Sequence, residues 1–259
     1  MNNSFFVFAQ KEVVEILRTK RLFVLACVFL FFAFASPMLA RFMMEFLVML
    51  MPADEMAMFI EIPPPAWQDS YMQFYGNMSQ IGVITVILLF MGIVLDEQRK
   101  GTAALMMMKG LTHTGFIMAK FAVISISAFV VLLISGLIAH LYTIILFGEA
   151  ADIGRMLLGM LVFMPSVLFM LAVQIFFSTV AKSTAMSAIF GFLALMFVGI
   201  LPTIPRIGEF TPGVLMFAWP LEVTLGIYNV NLWLAMGIAV ALTTLFLVLS
   251  INILRKKEM

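Results

Sequence analysis

From Leu22 to Ala40 the chain runs for 19 residues without a charged side chain, and it enters that run through Arg18, Lys20 and Arg21. A helix of about 20 apolar residues is what it takes to cross roughly 30 Å of hydrocarbon, and further runs of this kind follow. Charged residues make up only 11% of the 259 positions and hydrophobic ones 64%, whereas soluble domains usually carry about a quarter charged. The expected class is therefore all-α and polytopic. Uncharged runs place six spans near residues 22–40, 78–95, 121–147, 156–181, 185–201 and 232–254. Ala33-Phe34-Ala35 before Ser36 has the small-residue form of a signal-peptidase site. The run is longer than the roughly 7 to 15 residues of a signal peptide's apolar region, however, so it reads as a span.

Lys and Arg accumulate in cytoplasmic segments close to span ends. With the N-terminus inside, twelve of the fifteen fall on that side, and only Arg41, Arg155 and Arg206 fall outside, with nine of the fourteen acids. Both termini are expected in the cytoplasm. The chain then divides into an interface segment, 1–21, and a six-span domain, 22–259, with an inner segment at 96–120 and long outer loops at 41–77 and 203–231. In the interface segment Phe5, Phe6, Ala9, Val13, Ile16 and Leu17 share one arc of a helix, and Lys11, Glu12, Glu15, Arg18 and Thr19 share the other. That is the pattern of an amphipathic helix lying at a membrane surface.

The 203–231 loop is punctuated by Pro205, Pro212 and Pro220, and its apolar stretches are too short to span, so short helices in the outer leaflet are expected before the last span. Trp67, Tyr71, Phe74, Tyr75, Trp219, Tyr228 and Trp233 collect at that face, as interfacial aromatic belts do.

Chemistry is sparse. Cys27 is the only cysteine, and the two histidines, His113 and His140, open no His-Glu-x-x-His motif. No Gly-Lys dipeptide exists, so the chain lacks a Walker A loop. No catalytic, cofactor or metal residue is assigned. A net charge of +1 without a basic patch argues against nucleic acid. His140 and Gln174 read as packing residues inside spans ahead of proton or ligand sites. The 24 methionines include a cluster at Met38, Met43, Met44, Met49, Met51, Met56 and Met58. Thioethers suit Cu(I), but methionine is as abundant within spans and at Met106–Met108, where it serves as flexible apolar filler.

Two patterns remain. Ser183, Ser187 and Gly191 repeat every four residues on the fifth span, a stripe that lets another helix approach closely, either in a second subunit or in the same chain. The inner segment holds Asp96-Glu97-Gln98-Arg99-Lys100-Gly101-Thr102, a seven-residue stretch, then Gly110-Leu111-Thr112-His113 and Lys120. Thr102 is expected to cap a short helix, and Gly110 to close it in the left-handed conformation.

Glu97-x-x-x-Gly101-Thr102, followed by Lys120 at the start of a span, resembles the coupling segment of type-2 ATP-binding-cassette (ABC) export permeases. The interface helix, the six spans and the short outer helices extend that resemblance over the chain. Gly110 and His113 depart from it, since the family usually has proline and often arginine there. The resemblance implies that Glu97, Gly101, Thr102, Gly110, Thr112, His113 and Lys120 form the segment that docks an ATPase. It also implies that Lys11, Glu15 and Arg18 belong to the interface helix. Its expected partners are an ATP-binding subunit that holds ATP and magnesium, a second permease subunit and the lipid bilayer. The expected location is the cytoplasmic membrane of a bacterium or archaeon. An ion-coupled secondary transporter and a non-transporting scaffold or sensor are the alternatives; an enzyme ranks last.

Overall fold

A computed structural model describes residues 2–50 and 64–257. Among these the chain is helical without strands, and six helices are long and apolar enough to cross a membrane. Helix α1 (Asn2–Arg18) turns at Thr19 and Lys20, where Lys20 takes a positive φ of 58°, and leads into α2 (Arg21–Leu50). The second span is composite: α3 (Trp67–Asn77), a π-helical turn (Met78–Gly82), α4 (Val83–Phe90) and, after a break at 91–94, α5 (Leu95–Arg99). A short rod, α6 (Thr102–Met108), precedes α7 (His113–Phe147). Then come α8 (Ile153–Val180), α9 (Thr184–Ile200), two 3-10 turns, α10 (Val214–Phe217), α11 (Trp219–Thr224) and α12 (Leu232–Lys257).

Several boundaries differ from those expected. The first span continues to Leu50, because residues 41–50 contain no helix breaker, and Arg41 and Glu45, one turn apart, pair at 3.8 Å. The charge that closes the uncharged run does not close the helix. At the other end of the expected 41–77 loop the second span starts eleven residues early, at Trp67. Asp69 accepts the Ala66 backbone N–H at 2.8 Å, and Tyr71, Phe74 and Tyr75 bury one face of α3. Met51, Met56, Met58 and the centre of that loop lie outside the described residues. The short helices expected in 203–231 are present as α10 and α11.

The core centres on α8, the most enclosed span, with 78% of its most apolar window buried, against 28% for α2 and α12 and 22% for α9. Loosely enclosed helices with exposed Phe23, Phe31, Met196 and Phe197 are what lipid-facing positions look like. Contacts assign the ends of the bundle. Lys257 Nζ donates to the Thr179 carbonyl at 2.6 Å, and Arg99 donates to that of Lys182. The last turns of α12 and α8, the start of α9, and α5, α6 and α1 therefore share one end. At the far end Ser79 donates to the Met216 carbonyl and Tyr75 meets Thr224 at 3.0 Å, which fastens α10 and α11 to α3 and its π turn.

Candidate functional site

Where the second span breaks, at 91–94, the backbone N–H groups of Val94 and Leu95 have lost their helical carbonyl partners. Ser178 of α8 replaces those partners, its Oγ accepting from Val94 at 3.0 Å and Leu95 at 3.2 Å. That bond fixes α5, and α5 turns Glu97 inward, leaving it 7% exposed.

Glu97 meets residues from two other helices. Thr112 caps α7, accepting from the Gly115 N–H at 3.0 Å, so α7 begins at His113. Lys120 thus lies two turns inside a long apolar helix rather than at the edge of a loop, and it is fully buried. Its Nζ donates to Oε1 of Glu97 at 2.8 Å and to Oε1 of Glu12, on α1, at 2.9 Å. Lys11 Nζ contacts the same two oxygens at 2.6 and 2.9 Å and Glu15 Oε2 at 2.5 Å. Two ammoniums and two shared carboxylate oxygens close a ring, with Glu15 on its rim. Phe8 and Phe116 stack at 5.3 Å and roof it, with Lys120 Nζ 5.5 and 5.0 Å from their centroids.

Three carboxylates against two ammoniums leave one negative charge in excess, and Glu97 Oε2 is buried without a hydrogen-bond partner. Partial burial of Lys11 works against its charge. Its hydrogen bonds to Glu15, Glu97 and Glu12 outweigh that penalty and hold the ammonium well above the ordinary lysine range. Partial burial also favours neutral Glu15, yet the Lys11 hydrogen bond and the fields of Lys11, Lys120 and Arg21 win and hold that carboxyl below its ordinary value. Oxygens of Glu12, Glu15 and Glu97 lie within 4.8 Å of one another, a spacing that a metal ion can bridge. Lys11 Nζ touches one oxygen of each, so a lysine ammonium is the cation at that place.

Sequence reasoning missed how α1 sits. Phe8, Glu12 and Ile16 are buried, while Phe6, Val13 and Leu17 of the expected apolar arc are 65%, 46% and 57% exposed. The helix is rotated about its axis, so that Lys11, Glu12 and Glu15 meet Glu97 and Lys120 while Phe5, Ala9 and Ile16 of the apolar arc still pack on the core and Arg18 and Thr19 stay exposed. Glu12, the one completely internal acid of the cluster, was placed only on a polar arc. An ionisable residue within a membrane-length helix is a functional flag in itself, and Lys120 would have carried it had α7 been started at its cap. Arg18 is exposed and stands outside the cluster.

The rod α6 sits between the two anchors. Thr102 does not cap it: Gly101 occupies the cap position with φ 70°, and Thr102 Oγ1 donates back to the Glu97 carbonyl at 3.2 Å. Thr102 is already the rod's first helical residue, one position past the place from which a side chain caps, and no side chain caps the rod. Gly110, with φ 90°, closes the rod as expected, through bonds from Gly110 N–H to Met107 and from Leu111 N–H to Met106. Ala103 is buried, while Leu105 and Met108 are 52% and 77% exposed. His113 is half-buried at the start of α7, and Thr112 is the α7 cap.

The small-residue stripe is used within the chain. Ser183 caps α9 through the Met186 N–H at 3.1 Å. Ser187 Oγ accepts from Gln174 Nε2 at 3.0 Å, and a Cβ on Gly191 would lie 2.1 Å from Gln174 Oε1. The stripe admits the Gln174 side chain of α8, so Ser187 and Gly191 are packed inside the protomer rather than available to a second subunit. At the far end His140 is buried with Nδ1 2.6 Å from the Tyr71 hydroxyl, and Ser70 and Thr143 pair at 2.6 Å beside them. His140 is thus buried and hydrogen-bonded.

No protein-family model, curated protein or solved structure matches the chain.

Proposed function

We propose that the chain is the permease subunit of an ABC exporter, moving a substrate across or out of the cytoplasmic membrane of a bacterium or archaeon. Energy comes from a separate ATP-binding subunit that holds ATP and magnesium; a second permease subunit completes the pathway, and both termini face the cytoplasm. One observation carries the reading. The exposed rod α6 is suspended between Glu97 and Lys120, and these are tied to each other and to Glu12 and Lys11 of α1. A partner that presses on Leu105 and Met108 bears on α5, α7 and α1 together. ATP-driven rearrangement of that partner then favours one arrangement of the spans through differential contact with the rod.

The test is purification of the tagged chain from its native membrane in mild detergent. A Walker A-bearing subunit is expected to copurify in fixed ratio and to be lost in L105E/M108E, a variant that changes only exposed positions. Absence of such a subunit from the folded wild-type chain would refute the proposal. The buried Tyr71–His140 pair between the second and third spans favours a second reading, a proton-coupled carrier. Flux driven by a proton gradient in vesicles containing this chain alone, and abolished in His140→Ala, would decide for it.

A further inference from the structure

At the end that carries both termini, α5, α6 and the last turn of α12 flank an open cleft of about 360 Å³ lined by Gln98, Arg99, Ala103, Ala104 and Lys257. None of the five charge-cluster residues lines it. Arg99 is anchored on the Lys182 carbonyl and Lys257 on that of Thr179, so the α8–α9 junction holds both cations in place. Each retains donors beyond the one spent there, since guanidinium carries five and ammonium three. Among the described residues no carboxylate lies within ion-pair distance of either. Gln98 adds a buried Nε2 with no hydrogen-bond partner. A buried amide donor left unpaired is costly, and among the described residues the two cations that line the cleft have no carboxylate to offset their charge.

Cations at span ends set topology wherever they occur, so positive charge alone would mean little. What distinguishes this place is two exposed cations each anchored on a backbone carbonyl, a buried unpaired donor beside them and an open cleft with small alanine walls. We infer that this cleft binds a phosphoryl anion, supplied by the headgroup of an acidic membrane phospholipid. The source follows from position. The cleft lies where α12 and the second span, both of membrane-crossing length, come to an end, the level at which headgroups sit, and basic pockets between spans are a recurrent form of headgroup site.

The inference is independent of any ATPase and is tested on the full chain alone. The protein is reconstituted in phosphatidylcholine nanodiscs containing graded phosphatidylglycerol, and lipid retained after ejection is counted by native mass spectrometry. Wild type is expected to hold one phosphatidylglycerol in preference to phosphatidylcholine. The variant R99Q/K257Q is expected to lose that preference about thirtyfold, and each single variant part of it, while exposed Lys100→Gln and Lys109→Gln keep it. Thermal unfolding in pure phosphatidylcholine checks that the variants are folded. Equal retention of the two lipids by wild type, or undiminished preference in folded R99Q/K257Q, would overturn the site. Displacement of the lipid by low-millimolar inorganic phosphate would overturn the lipid as its source.

Discussion

Lys120→Met is the most discriminating single change, because it removes a buried charge while keeping most of the side-chain volume, so the packing cost stays small. The ammonium it deletes is fully buried, donates to Glu12 and Glu97 at 2.9 and 2.8 Å, and faces two aromatic rings. Without it three carboxylates share Lys11 alone, and Glu97, already carrying an unpaired Oε2, loses one of its two cationic partners. Breaking a buried pair from one side costs about 3–5 kcal/mol, about two to nearly four powers of ten in the folding equilibrium. The assay is unfolding in mixed micelles, followed by tryptophan fluorescence, with exposed Lys100→Met as control. Adding Glu12→Gln to Lys120→Met removes one orphaned carboxylate. The double variant should therefore fall short of the summed single effects by about 0.5–3 kcal/mol. The reasoning fails if Lys120→Met lies within about 0.5 kcal/mol of the control, the range of ordinary surface substitutions, or if the two changes simply add.

The attachment of α1 should be flat in pH across the neutral range. Glu15 is held below its ordinary value of 4.5, so its contribution is complete above that value and is lost as pH falls through the lowered one; Lys11 is held above 10.5, so its contribution is complete below that and is lost as pH rises through the raised one. Protease-accessible release of α1 between those limits would contradict this. Gly191→Ala places a Cβ 2.1 Å from Gln174 Oε1 and 2.9 Å from Ile87 Cγ2. It should cost about 1–3 kcal/mol by overpacking with no change in molecular mass by light scattering, whereas changed mass at unchanged stability would return the stripe to a subunit interface. Tyr71→Phe leaves His140 Nδ1 without its 2.6 Å partner and should cost about 1–3 kcal/mol as a buried unpaired polar group, measured by the same micelle titration; a cost near zero would show that the hydroxyl bond carries no weight.

The helices were legible because apolar runs of membrane length have few alternatives, and the outer short helices because prolines bound them. The boundaries were not, for a common reason: absence of charge is a property of lipid contact, not of helicity. Arg41 and Glu45 pair one turn apart without breaking α2, and α7 begins at the Thr112 cap although Lys120 interrupts its apolar run. The members of the charge cluster were legible as residue types and positions; that they face one another was not. Helical projection assigned the polar arc of α1 to water because nothing local says that a distant glutamate and lysine wait on the protein side. The break at 91–94 is equally invisible, since it depends on a serine more than eighty residues away.

The rotated seat of α1 explains how an ionic cluster is affordable at this position. Buried ion pairs are no more stabilising than apolar side chains of similar volume, and their best-attested use is to fix register between elements. Exposed Phe6, Val13 and Leu17 supply the apolar contact on the opposite side of α1, with lipid as the covering phase. The apolar burial of α1 is therefore shared between the core, through Phe8 and Ile16, and the phase that covers the exposed side, while Lys11, Glu12, Glu97 and Lys120 determine where along α5 and α7 it sits. A helix tied to Glu97 and Lys120 moves with the two helices that flank the exposed rod, and the proposed coupling to a partner rests on that tie.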